Sequence, residues 1–104
     1  MTRTRVCMDN CAFETVIEAE LQDGEKAMLK ITSDCTSIQE LAGKLKEVSI
    51  LQIWQTIEDS IVYRTASRYL KHPACLIPAA IVRTIEVEVG MALPGEASVS
   101  VERT

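Results

Sequence analysis

The chain has 104 residues, of which 47% are hydrophobic and 25% are charged, and its formal net charge is −4. This size and balance predict one globular domain, residues 1–104, that can close its own apolar core. The acidic balance argues against a nucleic-acid-binding protein, and no apolar run approaches the ~20 residues that a membrane-spanning helix needs. Residues 1–11 carry arginines with no apolar segment behind them, so we expect no secretory signal and a cytoplasmic location.

The clearest pattern is a β-hairpin formed by residues 13–21 and 26–32. Apolar side chains alternate with glutamates in the first segment and with lysines in the second, which is the period of a half-buried strand. The Asp23-Gly24 pair between them is preferred in tight hairpin turns. The lysines can face the glutamates across the pair, which favours this register. A mixed segment at residues 3–7 permits an edge strand.

The region after the hairpin predicts helices. Ser37 and Glu40 form a capping box, and apolar residues then keep helical spacing to about Lys46. Residues 59–60 can cap a second helix that runs to Lys71. Both helices should turn their apolar residues inward to the core.

A third helix is predicted to begin at Pro78, because proline is well tolerated in the first turn of a helix. Gly90 is a plausible stop, although the alternation at residues 85–89 also allows a strand there. Residues 48–57 fit neither period, and residues 98–102 predict a last strand. Together these elements predict an α+β fold, in which about three helices pack on one face of a small antiparallel sheet.

The candidate functional residues are the four cysteines and the only histidine of the chain. They are Cys7, Cys11, Cys35, His72 and Cys75. Cys35 and Cys75 each come just before a predicted helix, and a helix N-terminus stabilises anionic sulfur. Thiolate and imidazole are the ligands of zinc and of iron–sulfur clusters, and cysteines in a reducing cytoplasm favour ligand or redox roles over disulfides. The sequence therefore predicts a metal- or iron–sulfur-binding module that uses these five residues and does not turn over a substrate.

Two other interpretations of the same residues remain open. Cys75 can be a reactive thiolate with His72 as its base or proton partner, which describes a thiol redox or cysteine-nucleophile protein. Alternatively, the cysteines are small buried apolar residues of a structural or interaction domain. The sequence contains no glycine-rich phosphate loop, nucleophile elbow or two-histidine metal motif, so it favours no other enzyme class.

The order of strand, cysteine, hairpin, cysteine, helices, His–Cys pair and final helix resembles the U-type (IscU/NifU) iron–sulfur scaffold proteins. The resemblance covers about residues 6–89 and is one of layout. It matches one of the two N-terminal cysteines, Cys35, and the pair His72 and Cys75 to the ligands of that family. Departures are the two residues between His72 and Cys75, the extra cysteine and the absent leading helix. The resemblance implies a partner protein that donates or accepts a metal or cluster.

Three short segments resemble a family of small uncharacterised proteins common in methanogens and other anaerobes. They are residues 33–35, 74–78 and 92–94. This resemblance implies no activity, and it is compatible with an oxygen-free cytoplasm, where exposed thiolates and clusters survive. The expected partners are therefore a metal or cluster donor or acceptor, without nucleic acid or membrane, and a homodimer is compatible with the sequence.

Overall fold

The computed structural model describes residues 1–8 and 13–104. Its elements in chain order are β1 (Thr2–Cys7), β2 (Glu14–Gln22), β3 (Lys26–Ser33), α1 (Thr36–Lys44), β4 (Glu47–Ser49), a short 3-10 helix (Ile50–Gln52), α2 (Ile61–Tyr69) and α3 (Ile77–Glu88). The four strands form one antiparallel sheet in the order β1-β2-β3-β4. The predicted α+β class is confirmed.

One face of this sheet carries the apolar core. Successive side chains of a strand point to opposite faces, and in β2 the side chains of Thr15, Ile17 and Ala19 are buried while their neighbours are not. Helices α1 and α3 contact the strands, and α2 contacts both of these helices. The core is completed by apolar residues of all three helices, among them Ile38, Leu41, Val62, Ala66, Ile77, Ile81 and Ile85.

The predicted hairpin is confirmed as β2 and β3. Asp23 and Gly24 have φ values of 56° and 70°, as a type I′ turn requires at its two central positions, and the Glu25 N–H donates to the Gln22 carbonyl at 3.2 Å. The predicted edge strand is also confirmed, since β1 pairs with β2 along its whole length. The hairpin and β1 therefore form the three long strands of the sheet.

The charge pairing across the sheet differs in detail from the sequence expectation. Glu18 does lie opposite Lys30 in the register of β2 and β3. Its ion pair, however, is with Arg3 of β1 at 3.1 Å, because β1 places a guanidinium on the same exposed face. Both neighbouring strands thus present a cation to Glu18.

Helix α1 begins one residue before the predicted cap. Cys35 is the N-cap residue and makes no side-chain capping hydrogen bond. The predicted capping box is therefore wrong: Ser37 is the second helical residue and Glu40 the fifth, so neither occupies a position of the box. The helix ends at Lys44, slightly earlier than predicted.

The other two helices follow the sequence signals closely. The Ser60 hydroxyl accepts a hydrogen bond from the Tyr63 N–H at 3.3 Å and caps α2. Pro78 lies in the first turn of α3. Residues 85–88 are helical and Val89 is the C-cap, so the strand alternative for this region is wrong. Gly90 follows the helix with a φ of 84°, which confirms it as the stop.

The last predicted strand is not formed. Residues 93–104 are exposed and have no regular secondary structure, so the prediction for residues 98–102 is wrong for this chain alone. The alternation of apolar and polar residues gives this segment one apolar side. A strand also needs an adjacent strand that pairs with its backbone N–H and C=O groups, and the segment has none among the described residues. In the ranges 1–8 and 13–104, no helix has the length and apolar character to cross a membrane.

Candidate functional site

A cavity of about 170 Å³ opens between the end of β1, the start of α1 and the loop that joins α2 to α3. Its lining is mostly apolar, with side chains from both layers of the fold. The apolar contributors are Val6, Met8, Phe13, Ile38, Leu70 and Ile77. The cavity thus lies where the sheet and two helix starts meet.

Three of the five predicted site residues line this cavity. They are Cys35, His72 and Cys75. Cys35 and Cys75 are half-buried, and His72 is exposed. Two cysteines from distant segments thus line one cavity, because each precedes a helix whose first turn contributes to the lining.

The loop between α2 and α3 holds His72 and Cys75 at the two ends of one turn. The Cys75 N–H donates to the His72 carbonyl at 3.1 Å, which closes a four-residue turn with Pro73 second. Proline is favoured at that position because its fixed φ matches the turn. The two residues between histidine and cysteine therefore bring the pair together.

Cys35 is positioned by a buried hydrogen-bond network at the end of β3. Its N–H donates to the Ser33 hydroxyl oxygen at 3.2 Å, and the Thr15 hydroxyl donates to the same oxygen at 2.9 Å. The Gln39 side-chain amide donates to the Ser33 carbonyl at 2.7 Å. Ser33 thus joins the sheet, Cys35 and the first turns of α1.

Sequence reasoning did not identify Ser33 and Thr15. Their importance depends on the register of β2 and β3, in which they lie directly opposite each other. Both are buried, with exposed fractions of 8% and 1%. The available signal was a serine two residues before a cysteine that starts a helix, a spacing at which a hydroxyl can accept a backbone N–H.

Cys7 does not reach the cavity. It is exposed, and its thiol donates to the Glu14 carboxylate at 3.7 Å. The preceding residue, Val6, lines the cavity, so the alternation of β1 directs Cys7 to the other face of the sheet. The structure therefore does not bring Cys7 to the other predicted ligands, and Cys11 lies outside the described residues.

The potential metal ligands around the cavity are thiol and imidazole groups, and the charged residue in its lining is basic. Lys71 lines the cavity, whereas the part of the lining that the structure describes contains no Asp or Glu. Within residues 1–8 and 13–104, no three His, Cys, Asp or Glu side chains form a group that could hold a metal ion. The described residues thus supply two thiols and one imidazole around a cavity, without a preassembled coordination shell.

Comparison with known proteins places the chain in a family. No curated protein and no solved structure is significantly similar to it. A family model described as a family of unknown function, DUF6951, matches residues 2–101, from the start of β1 into the C-terminal segment. The chain therefore belongs to the family of unknown function DUF6951.

Proposed function

We propose that this protein is a metal- or iron–sulfur-binding module in which Cys35, His72 and Cys75 are ligands. The observation that supports this proposal is that two thiols and the only histidine, from two distant segments, line one cavity. Thiolate and imidazole suit zinc and iron–sulfur clusters and are poor ligands for hard cations such as Mg²⁺. The ammonium of Lys71 offsets part of the negative charge that two thiolates bring.

Binding requires a movement of the turn between α2 and α3. His72 is exposed and Cys75 half-buried on this turn, and no preassembled group of three donors exists among the described residues. The turn therefore closes on Cys35 as the metal binds, while Cys35 stays fixed by Ser33. An exposed turn that carries two ligands also gives a partner protein access to the metal, which fits a carrier or scaffold.

The layout of the U-type iron–sulfur scaffold proteins supports the same assignment. As in that family, a small antiparallel sheet precedes a cysteine at a helix start, and a histidine and a cysteine precede the last helix. The resemblance to proteins of methanogens and other anaerobes suggests that the site works in an oxygen-free cytoplasm. The test must therefore be made without oxygen.

The test is metal analysis of protein purified without oxygen, together with a visible spectrum after reconstitution with iron and sulfide or with zinc. We expect stoichiometric metal in the wild type and its loss in Cys35→Ser, Cys75→Ser and His72→Ala. Cys7→Ser is the matched control and should keep the metal. Absence of stoichiometric metal from the wild type, or its retention by a Cys35→Ser/Cys75→Ser double variant, would reject the proposal. Cys11→Ser, measured in the same series, tests the remaining predicted ligand.

A thiol nucleophile is the second candidate, favoured by the position of Cys35 as the N-cap of α1 in the same cavity as His72. In this reaction the sulfur attacks an electrophilic carbon, the carbon's leaving group departs, and the imidazole accepts the thiol proton. We expect metal-free protein to be alkylated by iodoacetamide faster at Cys35 or Cys75 than at the more exposed Cys7, and more slowly in His72→Ala. Preferential alkylation of Cys7 would exclude this candidate.

A further inference from the structure

The C-terminal segment has the pattern of a strand but no neighbour. In residues 97–102, Ala97, Val99 and Val101 alternate with polar side chains. Val99 and Val101 are 72% and 92% exposed, and residues 93–104 make no hydrogen bond or ion pair within the part of the chain that the structure describes. The family match nevertheless extends to Val101, so it covers residues 97–101 of this segment.

The sheet has one long edge that is open. β1 pairs with β2 on one side only, and along its other side no backbone group of residues 2–7 has a hydrogen-bond partner among the described residues. Such an edge is a template for an added strand. β4 at the opposite edge has only three residues and leads straight into a 3-10 helix, so it offers little length for pairing.

The two segments match in length, polarity and charge. An antiparallel register with Glu102 opposite Arg3 also places Val99 opposite Val6. The Glu102 carboxylate then faces the Arg3 guanidinium, whose side chain is 50% exposed, and Val99 and Val6 lie together on the helix side of the sheet. Opposite charges and β-branched residues in direct cross-strand pairs stabilise a sheet.

We propose that residues 97–102 of each chain add as a fifth strand to β1 of a second copy, which gives a reciprocal homodimer. Helix α3 ends beside the N-terminal end of β1, where the Glu88 carboxylate accepts a hydrogen bond from the Thr2 hydroxyl at 2.7 Å. In the antiparallel register the added strand begins beside the C-terminal end of β1 and ends beside its N-terminal end. Within one chain, the residues that follow α3 would therefore first have to run along the whole length of β1 before the added strand could begin.

In a two-fold symmetric dimer, each tail pairs with the β1 edge of the other copy, so both tails and both edges are hydrogen-bonded. No unpaired tail or edge is left to recruit a third copy. The occupant of the β1 edge is therefore a second copy of this chain. The interaction does not use Cys35, His72 or Cys75 as contacts, but Val6 at the β1 edge also lines their cavity. The two proposals are therefore tested with different variants and different measurements.

The first test is the molar mass of the full chain by light scattering, combined with hydrogen exchange. We expect twice the 11.5 kDa of one chain and slowed exchange in β1 and residues 98–102. The double variant Val99→Pro/Ser100→Pro removes two adjacent backbone N–H groups. Successive N–H groups of a strand point to opposite sides, so one of the two faces β1 in either possible alignment. This variant should be a monomer with unchanged circular dichroism. Leu93→Ala, at an exposed position before the strand, is the control and should remain dimeric.

The second test is a charge exchange that reports on the register. Arg3→Glu and Glu102→Arg should each give a monomer, because each homodimer would contain two like-charged pairs. Mixing the two variants should restore a dimer, since both pairs are then of opposite charge. A monomeric wild type, whether or not its tail exchanges slowly, overturns the proposal, and so does a dimer that survives the double proline variant.

Discussion

The backbone N–H of Cys35 donates a hydrogen bond to the hydroxyl oxygen of Ser33 at 3.2 Å. This contact ties a candidate ligand to the buried face of the sheet, because Ser33 also accepts a hydrogen bond from the buried hydroxyl of Thr15. One side of the cavity is therefore fixed by the sheet, while the other side is carried by an exposed turn. The arrangement suits a site that keeps one thiol in place and admits a ligand by moving the other.

Replacement of Ser33 should lower the free energy of unfolding by more than the loss of one small side chain suggests. Ser33→Ala leaves the Thr15 hydroxyl and the Cys35 N–H without their acceptor, and a buried donor without a partner costs about 1–3 kcal/mol. We expect a loss of this size in the free energy of unfolding, measured with urea. Ser67→Ala is the control, because its exposed hydroxyl donates only to the Arg64 carbonyl, and the change should be within about 0.5 kcal/mol. Equal losses for the two variants would show that the network does not stabilise the start of α1.

The end of α3 predicts a dependence of stability on pH. Hydrogen bonds from the Thr2 hydroxyl and from the Leu21 N–H, with the N-terminal ammonium at 3.6 Å, hold the pKa of Glu88 below its ordinary value of 4.5, although partial burial opposes them. A carboxyl with a lower pKa in the folded state stabilises the fold fully above its ordinary pKa. This contribution is lost as the pH falls through the folded value.

We therefore expect Glu88→Gln to lower the free energy of unfolding at neutral pH by about 1.5–3 kcal/mol, as for hydrogen bonds to a charged group. The difference from wild type should shrink as urea unfolding is repeated between about pH 7 and pH 3. Glu86→Gln is the control on the same helix, since its carboxylate makes no hydrogen bond or ion pair within residues 1–8 and 13–104. A constant difference across this pH range would contradict the assignment.

The core contact of α3 should contribute far more to stability than the exposed apolar residues. Ile81 is fully buried, whereas Leu51 of the short 3-10 helix is 78% exposed. Truncation of a buried isoleucine removes its burial and leaves a cavity, so Ile81→Ala should cost about 2–5 kcal/mol. Leu51→Ala should change the free energy of unfolding by no more than about 0.5 kcal/mol. Comparable losses in urea unfolding would mean that Leu51 is covered in solution.

Replacement of glycine by alanine should change the free energy of unfolding in opposite directions at two positions. Gly90 has a φ of 84°, which a side chain rarely adopts, while Gly43 lies within α1 with open space around its Cα. Gly90→Ala should therefore lower the free energy of unfolding by about 1–2 kcal/mol. Gly43→Ala should raise it by about 0.5–1 kcal/mol, because glycine is a poor residue inside a helix. Both variants are measured by thermal and by urea unfolding. If the two substitutions change the free energy of unfolding in the same direction, this assignment is contradicted.

Local signals explain which elements could be predicted from the sequence. The hairpin follows from alternation and Asp23-Gly24, and the start of α2 follows from Ser60, because each signal lies within a few residues of the feature it determines. The start of α1 could not be predicted in the same way. Its stabilising contact comes from Ser33, whose role depends on Thr15 across the sheet, so a local capping pattern was mistaken for it.

The same reasoning applies to the candidate site. Cys35, His72 and Cys75 could be grouped because two helix starts and one proline turn place them, all of which the sequence encodes locally. Cys7 was grouped with them but does not line their cavity, because neighbouring residues of a strand lie on opposite faces of the sheet. The strand at residues 98–102 was predicted from its pattern alone, and the chain in isolation provides it with no neighbour.

The turn that carries His72 and Cys75 should owe part of its affinity for a ligand to Pro73. Proline restricts the unbound turn, so Pro73→Ala adds conformational freedom that must be lost when the two residues bind, at a cost of about 0.4–1 kcal/mol. We expect metal affinity, measured by competition with a chelator, to fall about two- to fivefold. The free energy of unfolding without metal should fall by no more than about 1 kcal/mol. Pro94→Ala, in the exposed tail, is the control and should leave the affinity unchanged. An unchanged affinity in Pro73→Ala would indicate that the turn does not order on binding, and a loss far above fivefold would indicate that Pro73 contacts the ligand itself.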